Sequence, residues 1–350
     1  MMTFRQFSAP IAAIPAATGW YLADLGECIG RQDLFTRQSP QKLKALREHA
    51  LIESAVSSNR IEGVEVDQKR VTTLVFGQPT PKDRDEAELR GYRDALTLIH
   101  SQGSSLPLTE STIRQLHEMC RPEIWDAGKY KEKTEPIIER YPDGRTRVRF
   151  MPLQAGTATE AALSELIGLW DACLHEHWVH PLAALGAFAL DFLCIHPFRD
   201  GNGRVSRLLT LLGSYHVGLE VGRYISLERL IEQNKQRYYE TLERSSREWH
   251  EAKHDPWPFI NYMLWILKSA YQEFEQRVGQ VNVPPGEKSQ LVVDAIERMI
   301  GDFSVAQLQA ACPGVSIDLI RHVLQNLRQQ SKVMCLGRGR SALWRKSSIQ

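Results

Sequence analysis

The hydrophobic pattern of the chain predicts a protein built mostly from helices. Apolar residues recur at spacings of three and four in successive segments, and stretches rich in Gly, Pro, Ser or Asp separate these segments. Helices are predicted at about residues 40–59, 83–100, 109–120, 159–177, 182–195, 204–217, 225–246 and 256–278. Residues 1–38 are expected to form an arm, and residues 64–82 to be irregular or a small hairpin.

The segment between residues 128 and 152 departs from this helical pattern. Two apolar stretches flank Asp143 and Gly144, and Asp-Gly between apolar runs is a strong β-hairpin signal. Arginine occupies every second position from 145 to 149, which predicts one basic and one apolar face. The pattern alone leaves a plain surface hairpin and an exposed strand edge equally open.

The end of the chain predicts a separate domain. Residues 283–286 read Val-Pro-Pro-Gly, which marks a linker. Three helices and a short strand pair around the basic turn 337–340 are expected after it, a pattern that resembles a winged helix. From Glu287 onward there are nine Lys or Arg and five Asp or Glu, a net charge of +4, which allows nucleic acid without requiring it. Binding to DNA and binding to protein, including a second copy of the chain, both stay open.

Composition narrows the function classes. The chain has 350 residues, of which 43% are hydrophobic, and a formal net charge of +1, so there is no global electrostatic reason to expect nucleic acid or an anionic membrane. Its six cysteines are scattered, which predicts neither a zinc ribbon nor a disulfide framework. No apolar run reaches 18 residues and no signal peptide is recognisable, so a cytoplasmic protein is expected.

A polar loop between two apolar helices carries the candidate chemistry. Gly201, Asn202 and Gly203 precede a helix and allow successive N–H groups to point at one spot, which makes an anion site. Arg204 and Arg207 are three residues apart on one face of that helix and could add two guanidinium groups suited to phosphate oxygens. The loop therefore predicts a site for several phosphates.

Two further side chains of this loop suit catalysis. Asp200 offers a hard oxygen ligand beside the phosphates, the usual way in which Mg²⁺ is held. His196, at the loop entrance, has an unperturbed pKa near 6.5 and can take a proton at neutral pH. Phe198 is expected to anchor the loop in the core.

Residues 196–207 resemble the signature of the Fic family, His-x-Phe-x-(Asp/Glu)-Gly-Asn-Gly-Arg-x-x-Arg, and fill each of its fixed positions. The resemblance implies a mainly α fold: a Fic-type helical bundle with a β-hairpin flap, an N-terminal helical arm at residues 1–105, a catalytic domain at 106–278 and a winged helix at 287–350. It also implies a protein adenylyltransferase, which moves AMP from ATP, with Mg²⁺, to a hydroxyl side chain of a target protein.

An inhibitory motif is the second resemblance. Ser58, Glu62 and Gly63 are similar to the Fic motif (Ser/Thr)-x-x-x-Glu-(Gly/Asn), which in one class of the family lies N-terminal to the catalytic domain. In that class the glutamate pairs with the second arginine of the signature. The resemblance therefore implies that Glu62 pairs with Arg207 and keeps it from the γ-phosphate of ATP.

The family also implies how the two substrates bind. An Asn and a Tyr near Asn234 and Tyr238 line the adenine pocket in similar sequences, although buried tyrosines explain the pattern equally well. A hairpin near residues 137–150 is the expected docking edge for a target carrying a Ser, Thr or Tyr hydroxyl. The sequence leaves self-modification and a homodimer open.

Several other functions compete with AMP transfer. Within the same superfamily these are phosphoryl transfer, which departs from the Gly-Asn-Gly-Arg loop kept here, phosphocholine transfer, and removal of AMP with Glu62 positioning water. A DNA-binding regulator with an ATP-sensing body is the alternative from another class. The presence of His196 favours an enzyme.

Overall fold

The computed structural model describes residues 1–9, 13–36, 40–77, 79–122, 124–140, 143–280, 287–299, 301–312, 315–337 and 342–347. The chain divides into two compact units. The first comprises Met1–Gly30 and Lys44–Gln272, and the second comprises Arg31–Leu43 and Glu273–Gln350. None of the helices in these residues is long and apolar enough to span a bilayer.

The fold is mainly helical, as the sequence predicts. In chain order the described helices are α1 (Met2–Phe7), α2 (Ala16–Thr36), α3 (Pro40–Ile61), α4 (Gln68–Phe76), α5 (Arg84–Gln102), α6 (Glu110–Cys120), α7 (Thr157–Glu176), α8 (Pro181–Ile195), α9 (Asn202–His216), α10 (Leu227–Gln233), α11 (Lys235–Ser246), α12 (Trp257–Gln280), α13 (Glu287–Arg298), α14 (Val305–Ala311) and α15 (Ile317–Gln329). Short 3₁₀ turns lie at Gly103–Ser105 and Val221–Arg223.

Side-chain caps set several of the helix starts. The carboxylate of Asp83 accepts a hydrogen bond from the N–H of Glu86 at 2.9 Å and starts α5. Thr109 does the same for α6 through the N–H of Thr112 at 3.2 Å. Because the first N–H groups of a helix have no partner within it, these oxygens fix where each helix begins.

Two of the predicted elements were wrong. The region expected to be irregular or a hairpin contains α4, which Asp67 caps and which buries Val71, Leu74 and Val75 on one face. Its β-branched residues favour strands locally, but burial at helical spacing decides the outcome. The single helix predicted at 225–246 is broken at Asn234 into α10 and α11.

The helices α8 and α9 form the centre of the first unit. Every residue of α8 from Leu182 to Ile195 is buried, and α9 is buried from Arg204 to Tyr215. Helices α5, α6 and α7 pack around this pair. The loop between α8 and α9 therefore starts and ends on rigid elements.

The hairpin predicted from Asp-Gly is present next to this centre. Strand β1 (Ile137–Arg140) pairs antiparallel with β2 (Thr146–Phe150), and Ile138 lies opposite Val148. Residues 141–142 of its turn lie outside the described residues. Side chains of Ile138 and Val148 are 41% and 56% exposed, so this apolar face is largely uncovered.

The second unit has its own small core. Helices α13, α14 and α15 surround buried residues that include Val292, Leu308 and Leu324. Strands β3 (Phe303–Ser304), β4 (Val333–Cys335) and β5 (Leu343–Lys346) form an antiparallel sheet in the order β3-β5-β4, so the sequence missed the short strand β3. The predicted linker at 283–286 and most of the basic turn, residues 338–340, lie outside the described residues.

Candidate active site

The polar loop is held in shape by one side chain, that of Asn202. Its Oδ1 accepts a hydrogen bond from the N–H of Phe198 at 2.9 Å, and its Nδ2 donates to the carbonyl of Phe198 at 2.7 Å. Asn202 is only 1% exposed, and both polar atoms of its amide bond the backbone that closes the loop. The side-chain amide of Asn202 therefore bonds within the loop, which leaves its backbone N–H as the group for the predicted anion site.

The ring of Phe198 anchors the loop in the core. It is fully buried and stacks on the ring of His117, with centroids 3.8 Å apart and planes 4° from parallel. His117 also bonds the carbonyl of Asp200 through Nε2 at 3.0 Å and accepts from the N–H of Gly128 through Nδ1 at 2.9 Å. Nε2 must then carry the proton, and burial lowers the pKa of His117 to about 4. His117 has no partner nearby in sequence, and the structure shows that it supports the loop.

His196 ends α8 in the left-handed conformation, with φ of 51°, where few residues other than glycine are found. Its Nδ1–H donates to the carbonyl of Leu193 at 3.3 Å, since a carbonyl can only accept. The unprotonated Nε2 is therefore the ring atom available to take a proton. The tautomer needed for a general base is set by the backbone.

Lys131 binds the backbone carbonyls on both sides of His196. Its Nζ donates to the carbonyl of Ile195 at 2.8 Å, and its backbone N–H donates to the carbonyl of Pro197 at 2.9 Å. Burial lowers the pKa of Lys131 to about 8. Burial, followed by the charge of Lys131, lowers the pKa of His196 to about 4, while the charges of Glu62 and Asp200 oppose the shift. His196 is therefore neutral at pH 7.

A cavity of about 930 Å³ lies in front of His196. This volume falls in the range of sites for drug-sized ligands and cofactors. The residues that line it come from the end of α3, the hairpin, the loop region and α11, and include Ile61, Glu62, Gly63, Ile137, Ile138, Glu139, Phe150, His196, Gly203, Arg207, Tyr238 and Tyr239. The proton acceptor, the N-terminus of α9 and one arginine of the signature thus share one space.

Arg207 is held by the end of α3. It is 4% exposed, and its Nε donates to the hydroxyl of Ser58 at 2.9 Å while Nη2 donates to the Ser58 carbonyl at 3.0 Å. Nη2 also donates to Oε1 of Glu62 at 2.8 Å. Burial alone would lower the pKa of Arg207, but the charge and hydrogen bond of Glu62, together with the electrostatic effect of Tyr92 and Tyr238, outweigh burial and raise the pKa. The contact between Glu62 and Arg207 that the resemblance implies is present.

Glu62 also covers the start of α9. A Cβ added to Gly203 would overlap Oε1 of Glu62. Because the first N–H groups of a helix attract anions, this carboxylate lies where an anionic ligand would approach α9.

Asp200 stands at the rim of the loop, with its side chain 55% exposed. Oδ1 accepts from the N–H of Gly201 at 2.6 Å, and Oδ2 pairs with Nη2 of Arg121 at 2.8 Å. Burial would raise the pKa of Asp200, but the charge of Arg121 and the bond from Gly201 lower it, so the carboxylate is ionised. No cluster of three metal-binding side chains occurs in the parts of the chain that the structure describes. Asp200 fits Mg²⁺ as a single protein ligand, with phosphate and water oxygens completing the shell.

Arg204 does not face the cavity, contrary to the prediction that it binds phosphate. It is 2% exposed, and its Nη1 donates to Glu88 and, at 3.3 Å, to Oδ1 of Asn59. Glu88, which also pairs with Arg121, has no place in the predicted site. The sequence did contain a signal that Glu88 is buried, because it lies four residues before Tyr92 on the inward-facing stripe of α5.

The two residues proposed for the adenine pocket line different cavities, although the N–H of Tyr238 donates to the carbonyl of Asn234 at 3.1 Å. Tyr238 is 4% exposed and lines the cavity in front of His196. Asn234 ends α10, donates through Nδ2 to the carbonyl of Leu230 at 2.9 Å, and lines a different cavity of about 640 Å³. Asn234 is therefore not among the residues that line the cavity shared by His196, Arg207 and Tyr238.

Comparison with known proteins agrees with this fold. The model of the Fic/DOC family matches residues 107–212. A crystal structure of a Fic family protein from Desulfovibrio desulfuricans G20 is 22% identical over 98% of this chain and 99% of that one, with a TM-score of 0.63. A Fic domain containing signaling protein from Bacteroides thetaiotaomicron VPI-5482 is 21% identical over 74% and 99% of the chains, with a TM-score of 0.61. Fic-1 from C. elegans is 17% identical over 76% and 74%, with a TM-score of 0.58.

Proposed function

On the premise that residues 107–212 form a Fic/DOC domain, we propose that the protein transfers AMP from ATP to a hydroxyl group of a target protein. The observation that carries the proposal is the shared cavity, in which Nε2 of His196 and the N-terminus of α9 face one space. A base and an anion site that line the same cavity suit attack on a phosphorus atom.

The proposed reaction is a single displacement. The target oxygen bonds to the α-phosphorus, the bond from that phosphorus to the bridging β-oxygen breaks, and pyrophosphate leaves. His196 takes the hydroxyl proton on Nε2, while its Nδ1–H stays on the Leu193 carbonyl. The N–H groups at the start of α9 stabilise charge on the phosphate oxygens.

Asp200 would hold Mg²⁺ together with the phosphates. When bound, the ion would neutralise charge on the pyrophosphate group. Asp200 is suited to this because its carboxylate is ionised and more than half exposed at the rim of the loop.

The target is proposed to dock along the hairpin. The uncovered side chains of Ile138 and Val148 offer apolar contacts there, and Ile138 also lines the cavity. An extended segment laid on a strand edge gains main-chain hydrogen bonds and needs no particular sequence.

The enzyme is proposed to be restrained by Glu62. Its carboxylate neutralises Arg207 and covers Gly203, so a phosphate would have to displace it from both. A misplaced triphosphate loses the alignment of attacking and leaving oxygens that the transfer requires.

ATP labelled at the α- or the γ-phosphate tests the reaction. Wild type, Glu62→Gly, and Glu62→Gly with His196→Ala are incubated with each label and Mg²⁺, alone and with added cell extract, and label on protein is counted. Retention of the α-label, raised by Glu62→Gly and abolished by His196→Ala, is expected. Glu65→Gly, an exposed carboxylate three residues further along, is the matched control and should behave as wild type.

The other outcomes distinguish the alternatives. Retention of the γ-label in place of the α-label would make the protein a phosphotransferase. Calorimetric titration with MgATP shows whether the nucleotide binds when transfer is not seen. Tight binding by Glu62→Gly without any label on protein would contradict AMP transfer under these conditions and favour a nucleotide sensor.

A further inference from the structure

Glu88 is a buried carboxylate on which three arginines converge. Its side chain is 3% exposed, and it pairs with Arg204, with Arg121 and, at 2.6 Å, with Nε of Arg84. Burial would raise the pKa of Glu88, but the charge of Arg204 and the bonds from the arginines outweigh burial and lower it. Glu88 is therefore an anion inside the first unit, outside the residues that the family model matches.

The first consequence concerns Arg204. A guanidinium that is 2% exposed requires a counter-charge, and Glu88 supplies it. Arg204 lies in the first turn of α9, so the ion pair ties the start of that helix to α5. The N–H groups at the start of α9 are thereby fixed in direction.

The second consequence concerns Asp200. Arg121 is 3% exposed and connects the two carboxylates, since its Nη1 binds Glu88 and its Nη2 binds Oδ2 of Asp200 at 2.8 Å. The other oxygen of Asp200 is held by the N–H of Gly201 at 2.6 Å. Both oxygens of the carboxylate are therefore oriented, one of them through Glu88.

We infer that Glu88 is a positioning residue for a nucleoside triphosphate bound with a divalent cation. Through Arg204 it fixes the start of α9, and through Arg121 it fixes the direction in which Asp200 faces the cation. Groups that orient a metal ligand in this way typically change metal affinity 10- to 100-fold when they are replaced. The inference rests on the proposed function only in the identity of the ligand.

Calorimetric titration of the whole chain tests this role. The parent is Glu62→Gly, in which the carboxylate no longer covers α9, and it is titrated with ATP in Mg²⁺ and with ATP in EDTA. Adding Glu88→Gln should raise the Kd for MgATP about tenfold or more, with a smaller change in EDTA. Glu86→Gln is the matched control, because Glu86 is 4% exposed on the same helix and pairs with Arg70. It should leave both Kd values within about twofold.

A second variant keeps the test decisive if Glu88→Gln does not fold. Arg121→Lys retains the charge but cannot bind Glu88 and Asp200 together with one planar group. It should raise the Kd for MgATP and leave that for ATP in EDTA unchanged, with circular dichroism and the Tm showing a folded protein. Equal Kd values for the parent and a folded Glu88→Gln or Arg121→Lys variant would overturn the inference.

The two proposals can fail separately. A parent that binds MgATP but places no α-label on protein contradicts AMP transfer, while the Kd values still decide the role of Glu88. A parent that does not bind MgATP at all would overturn both.

Discussion

Ser58 binds the guanidinium of Arg207 through two groups: its hydroxyl accepts a hydrogen bond from Nε of Arg207 at 2.9 Å, and its carbonyl accepts one from Nη2 at 3.0 Å. Glu62, four residues later, meets the same guanidinium from the cavity side. Ser58 and Glu62 therefore contact the same arginine, but Ser58 is fully buried whereas the Glu62 side chain is 31% exposed. The structure predicts different consequences when each is replaced.

Ser58→Ala should destabilise the protein without activating it. The change leaves Nε of Arg207 buried without its partner, which costs about 1–3 kcal/mol, while Glu62 keeps its contact. Thermal unfolding and α-label transfer are the measurements, and Ser57→Ala, at a buried position one residue earlier, is the control. Activation equal to that of Glu62→Gly would show that the serine itself restrains the enzyme.

Lys131→Met should move the acid limb of the pH profile upward. The Lys131 charge disfavours the imidazolium of His196, so its removal raises the pKa of His196 toward its ordinary value. A base with a raised pKa is already protonated, and therefore inactive, at a less acidic pH, so the acid limb moves to higher pH. The limb is measured as kcat/KM against pH in Glu62→Gly, since that ratio reports the free enzyme.

The control for this shift is Lys129→Met, which removes an exposed lysine two residues earlier. Glu62 and Asp200 also act on His196, and the comparison keeps Asp200 unchanged and Glu62 absent throughout. An acid limb at the same pH in Lys131→Met and in its parent would contradict the electrostatic role of Lys131.

Gly203→Ala should weaken ATP binding whether or not Glu62 is present. The added Cβ would overlap Oε1 of Glu62, and if a phosphate takes that place it would meet the same methyl group. An increase in Kd of about tenfold, or about 1.4 kcal/mol, is expected in wild type and in Glu62→Gly. Gly168→Ala is the control, because a Cβ there would meet nothing within 4 Å. If Gly203→Ala instead activated the wild-type protein, the phosphates would not bind next to Gly203.

Thr3→Val should lower stability more at a pH where Asp191 is ionised than at a pH where it is protonated. The Thr3 hydroxyl donates to Oδ1 of Asp191 at 2.7 Å, and Asp191 is a fully buried carboxyl whose pKa burial raises. Loss of this donor disfavours the ionised form, so the cost, about 1–3 kcal/mol, is felt above the Asp191 pKa and fades as pH falls below it. Denaturant unfolding at two pH values measures it, with exposed Thr97→Val as control. An equal loss at both pH values would sink this account.

The sequence predicted those parts of the fold that local patterns determine. The helices that start near Asp83 and Thr109, the apolar run of α8 and the Asp-Gly hairpin all follow from spacing within one segment. The helix α4 and the break at Asn234 did not, because burial against the rest of the unit overrides local preference there.

The site was predicted where a motif is contiguous. Loop position, His196 and the Glu62 to Arg207 contact followed from the two motifs and the resemblance they carry. Arg204 and Asn202 face inward, but for different reasons. Asn202 bonds the backbone of Phe198, four residues earlier, whereas the partner of Arg204 is set by tertiary packing, since Glu88 lies 116 positions away. The spacing of residues within the motif does not predict which of them packs against a carboxylate from another helix.

The ion pair between Glu88 and Arg204 bears on how the protein can be dissected. The stretch that the family model matches, residues 107–212, contains Arg204 but not Glu88, the carboxylate that neutralises it. A fragment cut at those limits would leave the guanidinium of Arg204 without its counterion, at a cost of several kcal/mol, and would leave Arg121 with Asp200 as its remaining carboxylate partner. The recognisable domain and the smallest piece able to fold alone are therefore different, and a minimal fragment has to begin before α5.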